Sequence, residues 1–125
     1  MDFALMNWPA VALGTIAAFV LGMFWFSPKM FGASWSAGSH NIEAPETPPI
    51  AAIIVQFLGT AVLALVVGMT ATSEAIMTAI GAILAVALFV AGMDMFSQKS
   101  GKATVIDASY VVASGALMIL AQGLL

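Results

Sequence analysis

Residues 49–70 read PIAAIIVQFLGTAVLALVVGMT, a run opened by proline and free of ionisable side chains. About 20 such residues coiled as a helix cover the roughly 30 Å hydrocarbon layer of a bilayer, where a helix satisfies its own backbone polar groups. Three further runs of this kind extend from Trp8 to Phe26, Ala75 to Phe96 and Thr104 to Leu125, and none has a charge near its centre. The reading is an all-α polytopic membrane protein with four transmembrane helices in one domain over residues 1–125, and an interfacial loop at 27–48.

Composition points the same way. Hydrophobic residues make up 62% and charged residues 7% of the 125 positions, whereas a water-soluble domain has roughly a quarter of its residues charged. Six acids against three lysines, with no arginine, give a net charge of -3, which argues against nucleic acid as a partner. The absence of cysteine excludes disulfides, thiolate metal sites and cysteine nucleophiles. Before Trp8 the only charge is Asp2, and the first run is followed by Ser27-Pro28-Lys29 rather than a small-residue cleavage site. The first helix is therefore expected to be retained.

Lys29, Lys99 and Lys102 fall on one side if every run crosses, and the opposite loop, Ala71 to Glu74, carries only an acid. The positive-inside rule puts the lysines in the cytoplasm and both termini outside.

The first and third runs share eight identities at a constant offset of seventy: Ala17, Phe19, Val20, Gly22, Met23, Phe26, Ser27 and Lys29 recur as Ala87, Phe89, Val90, Gly92, Met93, Phe96, Ser97 and Lys99. Two crossings separate the copies. This suggests tandem helical hairpins in parallel repeat about an axis along the membrane normal.

Helices in lipid associate through close backbone approach and a few polar contacts. Ala10, Gly14, Ala18 and Gly22 recur every four residues and make a smooth packing or partner face on the first helix. Gln56, Thr60, Ala64 and Gly68 form a comparable strip with two polar members, and Gly81 with Ala85 and Ser109 with Ala113 give shorter ones. Strips not used inside the subunit could face a second copy or a larger membrane complex.

In the interfacial loop, Ser27 and Pro28 suit the cap and first turn of a short helix. Phe31 and Trp35 then share a face and join Trp25 in an aromatic cluster at headgroup depth. This segment is expected to lie along the interface or tuck against the bundle. Glu43 to Pro49, with three prolines, reads as an extended linker.

Trp25-Phe26-Ser27-Pro28, followed by Phe31-Gly32 and Trp35, resembles the W-Y-S-P-x-x-F-G-x-x-W signature of small four-helix bacterial membrane proteins grouped as domain of unknown function 1761. Ile106-Asp107-Ala108-Ser109-Tyr110 is similar to the I-D-A-G-Y segment of that family. Phe26 for tyrosine and Ser109 for glycine are departures. The resemblance implies a fold and a bacterial cytoplasmic (inner) membrane location, and brings no agreed activity.

Asp94 and Asp107 lie about a turn inside the third and fourth runs. They read either as structural groups, Asp94 paired with Lys99 or Lys102 and Asp107 in the first turn of a helix, or as an ion or proton site made with Gln56, Ser97 or Tyr110. His40, the single histidine, reads as a solvated loop residue, and the nine methionines as packing. No nucleophile triad or phosphate loop can be assembled, and neither a metal nor a cofactor is expected. The length and plan resemble the small multidrug transporters, whose coupling relies on a glutamate in the first helix, but that helix here contains no acid. The expectation is a non-enzymatic bundle that packs against copies of itself, a larger membrane complex, or lipids and pigments held in its grooves. The alternative is a small transporter or channel using Asp94 and Asp107 on the cytoplasmic side.

Overall fold

A computed structural model describes residues 2–125, so position 1 of the predicted domain lies outside the described residues. A 3-10 turn at Phe3–Leu5 precedes α1 (Trp8–Trp25), α2 (Gly32–Gly38), α3 (Ile50–Ala71), α4 (Ile76–Phe96) and α5 (Gly101–Leu124). Helices α1, α3, α4 and α5 are long and apolar enough to cross a membrane. The protein is a multi-pass membrane protein.

The helix ends follow from local chemistry. Asn7 caps α1 by accepting from the Ala10 amide at 3.2 Å, with Pro9 in the first turn. Pro28 prevents α1 from continuing past Phe26. Pro49 precedes α3. Ser100 caps α5 by accepting from the Ala103 amide at 3.1 Å. That cap starts α5 at Gly101, three residues before the predicted Thr104, and Asp107 consequently lies beyond the first turn. The free N–H groups of the helix end, which fade within one turn, therefore do not account for its charge.

The short loop helix differs from expectation in the same way. Ser27 caps nothing, because its hydroxyl donates back to the Phe24 carbonyl at 2.7 Å. Residues 27–31 form turns instead, and α2 begins at Gly32. This helix tucks against α5. The Gly38 carbonyl accepts from the Ser100 amide at 2.8 Å, and His40 Nε2 donates to the Ser97 carbonyl at 2.8 Å. His40 is exposed, yet it pins the loop to the end of α4.

Helix α5 is central, lying between α1 and α4 and also touching α2 and α3. Small residues allow the approach: a Cβ on Gly14 would sit 3.2 Å from the Met118 backbone, and one on Gly115 would sit 2.5 Å from Ile83. Ala18, Ala64, Val67, Ala79, Ile83 and Met118 form the packed core. Helix α3 reaches it through its second half only. Residues 51–59 are all exposed, and its buried positions are Thr60, Ala64, Val67, Gly68 and Thr70.

A twofold repeat would pair the α1–α5 interface with an equivalent one between α3 and α4. The first is the most extensive in the molecule and the second is slight. The sequence echo sits in unlike surroundings: Phe26 packs on Trp35 and Tyr110, whereas its counterpart Phe96 is 93% exposed.

Candidate functional site

The two motif segments meet. Trp25 Nε1 donates to the Ile106 carbonyl at 3.0 Å, and the Tyr110 hydroxyl donates to the Ala18 carbonyl at 2.7 Å. Around Tyr110, Trp25 lies at 6.3 Å and Phe26 at 5.3 Å between ring centroids. Phe31 stacks obliquely on Trp25 at 4.9 Å, while Trp35 packs edge-on to Phe26 at 5.8 Å rather than beside Trp25. The expected cluster is therefore centred on Tyr110, a buried residue of α5. Gly22 makes room for it, since a Cβ there would lie 2.7 Å from the Tyr110 hydroxyl oxygen.

Beside this seam lies a charged trio. Gln98 takes a left-handed conformation with φ 60°, reversing the chain after α4 so that the Lys99 amide donates to the Asp94 carbonyl at 3.0 Å. The Lys99 ammonium then bridges both carboxylates, 3.6 Å from Asp94 and 3.5 Å from Asp107. It also lies 5.1 Å from the centroid of the Trp35 ring, within the range of a cation–π contact. Lys102 is exposed at the start of α5 and takes no part. Among the described residues, Asp94 Oδ2 and Trp35 Nε1 are buried without a hydrogen-bond partner. At 1.5 Å rise per residue, Asp107 lies about 9 Å into α5, in the part of the bilayer nearest the lysines.

The first half of α3 touches the bundle where Phe57 packs edge-on to Phe19 at 5.4 Å, and beside that contact a cavity of about 540 Å³ opens. Phe19, Phe26, Trp35, Ile53 and Val111 give it apolar walls, into which Gln56, Asp107 and Tyr110 bring polar groups. Asp107 is thus both a wall of the cavity and a partner of Lys99, a link the sequence alone left open. A second cavity of about 380 Å³, lined by Thr70, Glu74, Ile119 and Gln122, occupies the opposite end. Val67 and Ala79, which line the second cavity, belong to the packed core. A through-pore would have to cross that core.

The other predicted strips lie as follows. Ala10, Gly14 and Ala18 are buried and Gly22 abuts Tyr110, so this face is taken up inside the subunit. Along the second strip, Gln56 is exposed at the cavity, the Thr60 hydroxyl donates to its own helix at the Gln56 carbonyl, and Ala64 and Gly68 are buried. It is not a continuous polar face. Gly81 and Ala85 are exposed, and a Cβ at Gly81 or Gly92 would meet nothing within 4 Å. Ser109 donates to the Ile106 carbonyl at 3.2 Å.

The sequence model of a family described as "Protein of unknown function (DUF1761)" matches residues 9–123. The chain belongs to this family. The match spans both segments that meet at Tyr110 and nearly all of the four long helices. No curated protein and no solved structure matches the chain.

Proposed function

We propose that this DUF1761 protein is a non-enzymatic bundle of the bacterial cytoplasmic membrane, with both termini outside, that holds an amphipathic molecule in the cavity between α1, α3 and α5. The observation that carries this reading is the cavity of about 540 Å³ with aromatic walls and a few converging polar groups, Gln56, Asp107 and Tyr110. Binding sites for small molecules have this make-up, an apolar lining with a small number of orienting polar groups. The first half of α3 forms one wall without packing on the core, so the cavity can be entered or reshaped without unmaking the bundle.

Native mass spectrometry after gentle extraction from the native membrane tests the reading. Wild-type protein should retain a single amphiphile, and Ile53→Trp, which narrows the cavity from an exposed position, should retain less of it. Wild-type protein free of any bound molecule, or equal retention by both forms, would refute it.

A second reading, self-association or docking into a larger membrane complex, is supported by α4. Gly81, Ala85 and Gly92 share one face of that helix, and the two glycines have open space beside them. Small-residue faces let helix backbones approach closely in lipid.

A further inference from the structure

We infer that the cavity takes a long-chain alkylammonium, whose positive head displaces the Lys99 ammonium from between Asp94 and Asp107, and whose tail runs along Phe19, Met23 and Ile53. This rests on the holding role proposed above and adds the charge of the head group.

Charge complementarity is the first argument. Two carboxylates converge on one ammonium, so the trio offers more acceptor oxygens than its resident cation engages, and one of its members, Asp107, lines the apolar cavity. Asp94 is only 8% exposed, and its Oδ2 has no hydrogen-bond partner among the described residues. A buried oxygen of this kind is costly unless a cation or donor reaches it.

Lys99 supplies the second argument. Its side chain is itself a primary ammonium on a four-carbon stem, and it reaches both carboxylates and the face of Trp35. The trio therefore already accommodates an alkylammonium, with an aromatic face of the kind that attracts such heads. Trp35 and Asp107 also line the cavity, so a ligand tail continues directly from this head site into apolar space. A phosphate or sulfate head would meet the same two carboxylates and be repelled.

The test uses the full chain in phosphatidylcholine nanodiscs and tritiated dodecylammonium, dialysed to equilibrium against protein-free nanodiscs to subtract partition into lipid. One saturable site is expected, displaced by unlabelled dodecylammonium and not by dodecanol or dodecyl sulfate. Asp107→Asn should weaken it roughly tenfold, as loss of a charge-assisted contact does. Lys99→Gln should tighten it several-fold by removing the resident ammonium, a gain that a merely damaged fold would not give. Ile53→Trp leaves the trio intact and should weaken binding by narrowing the tail's path, which keeps the test decisive if Asp107→Asn fails to fold. Equal displacement by dodecanol would overturn the charge recognition and leave the holding role standing. Weaker binding by Lys99→Gln would overturn the placement of the head. Absence of saturable binding by both tritiated dodecylammonium and tritiated dodecanol would remove the inference and the holding role together.

Discussion

Trp25 Nε1 lies 3.0 Å from the Ile106 carbonyl, joining the end of α1 to α5 across eighty-one residues of sequence. Tyr110 makes the reciprocal tie one turn away, donating to Ala18. Both acceptors are helix carbonyls, so each bond adds to an existing ladder rather than rescuing an orphan group. Interhelical hydrogen bonds in membranes average about 0.6 kcal/mol and reach about 1.7. Trp25→Phe and Tyr110→Phe should each lower stability by about 0.5–1.5 kcal/mol, read from reversible unfolding in mixed micelles. A loss above about 3 kcal/mol for either would mean that the ring itself had been displaced.

The chain reversal after α4 yields a prediction of opposite sign. Gln98 holds a left-handed backbone without being glycine, and that region costs an L-residue roughly 1–2 kcal/mol. Gln98→Gly should relieve the strain, offset in part by glycine's greater freedom when unfolded. The expected outcome is a gain of up to about 1 kcal/mol in the same unfolding assay, with Lys99 still placed over both carboxylates.

Much of this architecture is legible from composition and spacing. An uninterrupted apolar run has a single solution in lipid, so the four long helices follow from residues 49–70 and their three counterparts. The loop is ambiguous in sequence, because Ser27 can cap a following helix or bond back to Phe24, and only the path of the chain decides. The start of α5 depended on Ser100, a cap of the ordinary kind, placed between Lys99 and Gly101 where the polar loop masks it. The cavity had no sequence signature at all. It arises because α3 is apolar along its whole length and is buried only from Thr60 onward, where Ala64 and Gly68 fit close neighbours, while Ile53 and Gln56 stay exposed.

The trio should behave as a unit. The side chains of Asp94, Lys99 and Asp107 are 11%, 22% and 14% exposed. Removing one member of a buried ion pair costs about 3–5 kcal/mol, because a charge is left without its partner. Partial exposure puts Lys99→Gln at or below the low end of that range. Combining Lys99→Gln with Asp94→Asn and Asp107→Asn should cost less than Lys99→Gln alone, since no unpaired charge then remains. Additive losses across the three substitutions would show that the groups act independently.

Glycine positions separate packing within the subunit from contact between subunits. At Gly22 a Cβ would lie 2.7 Å from the Tyr110 hydroxyl oxygen and 3.0 Å from its Cζ, whereas at Gly81 it meets nothing within 4 Å. Gly22→Leu should therefore destabilise the monomer by about 1–3 kcal/mol through overpacking. Gly81→Leu should leave the fold intact and even favour the helix, by up to about 1 kcal/mol, because leucine is the better helix former. If copies associate through α4, the same Gly81→Leu substitution should reduce the molecular mass measured by light scattering in mild detergent. The two variants thus move different readouts: stability without a change of mass at Gly22, mass without a loss of stability at Gly81. Unchanged mass for Gly81→Leu, and for Gly92→Leu beside it, would rule out the α4 face as an interface, leaving lipid as its neighbour.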